Sequence, residues 1–109
     1  MDDWDTLIEK VSIKLERPAT LDDILLQIGI LESCHPARPN MSASEKENLV
    51  QMAEQTVLEP GRYYQLIWVE DNGWPHYQPL NRPPEMTKKE REDFLRPWIL
   101  QYVQKNHMF

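Results

Sequence analysis

Four side chains in this 109-residue sequence are candidate metal ligands or nucleophilic partners: Cys34, His35, His76 and His107. Their spacing does not match metal chemistry. The chain has no C-x2-C, no H-x3-H and no H-E-x-x-H pattern. Adjacent Cys34 and His35, followed by Pro36, make an awkward chelate. A nucleophilic Cys34 would need a histidine brought from elsewhere in the fold, because His35 is too close in sequence to face its thiol. Asp22 and Asp23 fall in the first turn of an expected helix, where carboxylates complement the helix dipole. The glycines, Gly29, Gly61 and Gly73, are too scattered to cradle a phosphate. The residues therefore predict no catalytic group, no metal and no cofactor, and a protein that is not an enzyme.

The elements that position these side chains follow from periodicity and punctuation. Trp4, Leu7, Ile8, Val11 and Leu15 recur at helical spacing over residues 3–15, and Arg17-Pro18 stops that helix. Thr20 caps a second helix over 21–31, whose face carries Leu21, Ile24, Leu25, Ile28 and Leu31. Gly29 weakens its last turn and is expected near its end. A loop with two prolines, E-S-C-H-P-A-R-P-N-M, leads to two overlapping capping patterns, Ser42 with Glu45 and Ser44 with Glu47. A third helix is predicted over 43–58. Thr87 with Glu90 opens a final helix, in which Pro97 marks either a kink or a break.

Between these helices lies a β-hairpin, Arg62 to Leu80. Asn72-Gly73 is a strong signal for a two-residue type I′ turn. That turn pairs Asp71 with Trp74, Val69 with His76, Trp68 with Tyr77 and Leu66 with Pro79. Tyr64, Leu66, Trp68 and Tyr77 then share the core side. Pro75 and Pro79 fall at non-hydrogen-bonded positions, so their missing N–H groups point away from the partner strand. The second strand is thus an edge that refuses strand addition.

The fold class is α+β, a helical core with one β-hairpin, and the length predicts a single domain over 1–109. The order helix, helix, helix, hairpin, helix resembles a winged helix-turn-helix in outline, with the hairpin as wing. The connection from Leu31 to Ser42 is longer than the turn of about three or four residues that a helix-turn-helix uses. The resemblance implies nucleic-acid binding through the third helix, but that helix carries Glu45, Glu47 and Glu54 against Lys46. The basic residues Arg82, Lys88, Lys89, Arg91 and Arg96 are interleaved with Glu85, Glu90, Glu92 and Asp93, as on a solvated helix face. The net charge of −6 divides into −7 over residues 1–59 and +1 over 60–109, an acidic surface that repels phosphate backbones and anionic membranes. No segment has the length of apolar sequence that a membrane span needs. The acidic start M-D-D-W-D and the single cysteine are read as cytoplasmic.

The aromatic residues carry the functional expectation. Of the four tryptophans, Trp4, Trp68 and Trp98 lie on faces that read as buried. Trp74 sits at the hairpin tip, on the side opposite Trp68. With Tyr63, Ile67, Val69 and His76 it forms an apolar patch, with Arg62 and Arg82 as rim charges. The expected function is a small interaction module of regulator, adaptor or inhibitor type, binding a protein partner or a second copy through that face. A divergent winged-helix regulator that binds DNA is the alternative.

Overall fold

The computed structural model describes residues 3–33 and 41–108. Of the predicted loop, residues 34–40, with Cys34 and His35, lie outside them, while Glu32 and Ser33 extend α2 beyond its expected end at Leu31. The described elements are α1 (Asp3–Leu15), α2 (Leu21–Ser33), α3 (Ala43–Leu58), a 3-10 turn (Glu59–Gly61), β1 (Tyr64–Val69), β2 (Pro75–Pro79) and α4 (Lys88–Lys105). This is an α+β fold with a helical core and one antiparallel hairpin. Among the described residues, no helix is long and apolar enough to cross a membrane.

Capping side chains set the helix starts. Asp23 and Thr20 bond reciprocally at the start of α2, Thr20 N–H to Asp23 Oδ2 at 2.8 Å and Asp23 N–H to Thr20 Oγ1 at 3.2 Å. Ser42 caps α3 by accepting from Glu45 N–H, so the register begins from Ser42 and not from Ser44. Thr87 and Glu90 form a complete capping box on α4. At the other end of α1, Glu16 takes a left-handed φ of 59° and Arg17 N–H reaches back to Ser12 O at 3.2 Å, closing the helix one residue before the proline signal acts.

Helix α4 is neither broken nor divided at Pro97, which lies inside its continuous span. Pro97 and Asp93 are both exposed, so the carbonyl left without an N–H partner faces water. The buried cluster draws on all four helices, with Val11, Ile24, Ile28, Val57, Leu95 and Ile99 at its centre. Arg96 places its guanidinium 5.4 Å from the centre of the Trp4 ring, a cation–π contact that ties α4 to α1.

Gly29 is not at the end of α2. It is buried within the helix, where α3 comes so close that a Cβ at this position would lie 2.5 Å from the Leu49 carbonyl oxygen. Glycine stands there because two helix backbones meet. In an exposed helix, Gly29→Ala would stabilise by up to about 1 kcal/mol. Here the overlap is with backbone, and we expect a loss of about 1–3 kcal/mol in chemical denaturation.

Arg17 binds Asp23 with both terminal nitrogens at 2.8 Å. The Arg17 guanidinium holds the Asp23 carboxyl down to about 2. A depressed carboxyl stabilises the fold above its unfolded value of roughly 4, and that contribution is lost as pH falls towards 2. Asp23→Asn should therefore lower the thermal midpoint at pH 7, and the gap from the parent chain should close on acidification towards pH 2.

Candidate interaction site on the hairpin

The hairpin register differs from the two-residue-turn expectation. Glu70 N–H bonds to Trp74 O at 2.9 Å and Gly73 N–H to Glu70 O at 2.8 Å, which makes Asp71, Asn72 and Gly73 a three-residue loop. Only Gly73 is left-handed in this loop, with φ 95°. This is the turn-plus-glycine-bulge connection and not type I′. The Asn72 side chain accepts from Trp74 N–H at 3.0 Å. Val69 therefore pairs with Pro75 and Trp68 with His76; a β-bulge at Ile67 then shifts the register, and Leu66 pairs with Tyr77 and Tyr64 with Pro79.

The proline expectation survives the new register. Glu70/Trp74 and Tyr63/Leu80 are hydrogen-bonded. Alternation from both ends leaves Val69/Pro75 and Tyr64/Pro79 as non-bonded pairs. The outer edge of β2 thus lacks two donors. The outer edge of β1 is interrupted by the bulge at Ile67. Both devices discourage an added strand.

The sidedness of the tryptophans changes with the register. Trp68 is not on the core side. It stacks on His76, with ring centres 4.6 Å apart and planes 6° from parallel. His76 Nε2 lies 2.6 Å from Glu70 Oε1, and because a carboxylate only accepts, Nε2–H is the donor. Trp68, His76, Glu70 and Trp74 hold register positions on one face, and Gln78 donates to Gln65 farther down it at 2.9 Å. Trp74 is half-buried, while Trp68 is 53% exposed.

Of the residues expected in the patch, Ile67, Val69 and His76 are on the hairpin surface, but Val69 shares the opposite face with Pro75. Tyr63 leaves the patch altogether. It packs edge-on against Phe94 at 5.4 Å and Trp98 at 6.1 Å, fixed by the tight turn through Gly61 and left-handed Arg62. Arg62 and Arg82 are exposed. The expected basic cluster is partly turned inward, since Arg91 binds Glu54 and Asp22 and Arg96 lies 3.6 Å from Glu92. Among the described residues no three metal-ligating side chains converge.

The central residue that the sequence reading missed is Trp68. Its signal was present: Leu66-Ile67-Trp68-Val69 is an unbroken apolar run where one-sided burial demands alternation. All four are exposed, from 41% at Leu66 to 55% at Ile67. No family model, curated protein or solved structure matches the chain.

Gly73→Ala places a side chain on the loop's left-handed residue. We expect it to cost about 1 kcal/mol or more, and to loosen the Trp68–His76 stack, read as a change in tryptophan fluorescence.

Proposed function

We propose that this protein is a small non-catalytic interaction module of the cytoplasm, docking a protein partner through the outer face of its hairpin. The observation that carries this reading is Trp68, more than half exposed and preceded by exposed Ile67, on a hairpin whose two edges both resist strand addition. Exposed apolar surface of this kind marks a contact site, and aromatic anchors dominate such contacts. Trp68 is the anchor. His76 stacks on its ring and is itself held by Glu70. Ile67 extends the apolar contact, and Arg62 and Arg82 supply charge at the periphery. Because the strand edges are blunted, recognition works through side chains seated in a partner's groove.

Trp68→Ala tests the reading. Its exposure predicts that the fold survives, within about 1 kcal/mol of the parent. The variant should lose a partner captured by the parent chain or, if that partner is a second copy, sediment as a smaller species. Unchanged partners and unchanged sedimentation in a folded variant would sink the proposal.

A further inference from the structure

On its other side the hairpin closes, with α3 and α4, over a cavity of about 220 Å3. Its apolar walls include Leu66, Tyr77, Trp98 and Tyr102, and Glu32 and Glu59 supply carboxylates. The direction of the hydrogen bonds decides what the cavity offers. Tyr102 donates its hydroxyl proton to Glu32. Thr56 donates to the Met52 carbonyl one turn back at 3.0 Å, which spends its only proton. The 2.9 Å contact between Thr56 and Tyr77 must then be donated by Tyr77. Asn106 Nδ2 donates one of its two N–H groups to the Tyr102 carbonyl at 2.9 Å. Both phenols keep their protons at neutral pH, since burial pushes both upward and the Glu32 carboxylate pushes them further. For a ligand the cavity offers acceptor oxygen on two phenols, the Asn106 and Gln101 amides and two carboxylates, against neutral donors on Trp98, Gln101 and Asn106; its charged groups besides Lys105 are the two carboxylates, with aromatic faces beside them.

An ammonium group has three donors and no acceptor, so it complements such a site, and aromatic faces attract it as well. We propose that this cavity binds a small primary amine in its protonated form. The ammonium meets Glu32 and Glu59, and an aromatic or aliphatic body lies against Trp98 and Tyr77. The volume is smaller than the roughly 300–1,000 Å3 of ordinary ligand pockets, which limits the body to one ring or a short chain. Lys105, exposed at the margin of the cavity, is the chain's own competing cation. The site is separate from the Trp68 face and does not depend on it.

The test is titration with 2-phenylethylamine at pH 7 by calorimetry and tryptophan fluorescence, alongside phenylacetate and 2-phenylethanol as anionic and neutral molecules of the same body. The amine should bind saturably, the alcohol more weakly and the anion not at all. Glu32→Gln and Glu59→Gln should each weaken the amine about tenfold with circular dichroism unchanged, as expected for loss of a charge-assisted bond. Lys105→Gln should tighten it, and Trp68→Ala should leave it unaltered. Absence of saturable amine binding, equal binding of phenylacetate, or unchanged affinity in both folded glutamine variants would overturn the proposal. So would amine binding confined to Lys105→Gln, because the parent cavity would then be filled by its own lysine.

Discussion

The contact between Gly29 and the Leu49 carbonyl sets how closely α2 and α3 can run, and the rest of the structure is built on that pair. With the two helices in near contact, α3 lies deep enough to bury Met52, Ala53, Thr56 and Val57 along one side. The same helix then reaches outward in two directions. Glu54 engages Arg91 of α4, and Thr56 receives Tyr77 of the hairpin. Any displacement of α3 away from α2 would move both contacts at once. A residue with no side chain thereby governs where the side chains of two other elements can be placed.

The hairpin is held from beneath and left open above. Two strands alone are marginal in water. This pair is anchored where Tyr63 wedges between Phe94 and Trp98 and where Tyr77 enters the α3 surface. Farther from the body, the chain relies on its own devices: the glycine-bulge loop, the Asn72 bond to the backbone and the histidine stacked on tryptophan. Anchorage at the base and apolar exposure along β1 are both products of this arrangement.

The helices were legible in the residues because each has punctuation that acts locally. Ser42, Thr87 and Thr20 offer oxygen to free N–H groups, and Pro18 marks where α1 must already have closed, as it does at left-handed Glu16. The bounds expected for α1 and α3 match those observed. Gly29 was misread because a close helix–helix approach is a tertiary fact, and local propensity makes glycine look like an ending. The hairpin was legible as a hairpin, yet its register was not. Asn-Gly favours a two-residue turn, but Asp71 joins it to make a longer loop, and the bulge at Ile67 then moves the pairing again. Each step changes which residues share a side, so Trp68 was assigned inward. Pro75 and Pro79 were read correctly because their parity is set from β2 itself, two residues of one strand spaced by four, and both sit at non-bonded pairs in either register.

The blunting of both hairpin edges has a consequence for the company this surface can keep. Unfolded chains attach to folded proteins most readily by laying a strand along an open edge, satisfying backbone groups regardless of sequence. Here that route is closed by missing donors on one side and a broken ladder on the other. On the proposed reading, an apolar surface without a usable edge would discriminate between conformational states: it has contacts to offer a shaped, folded groove and little to hold a passing extended chain.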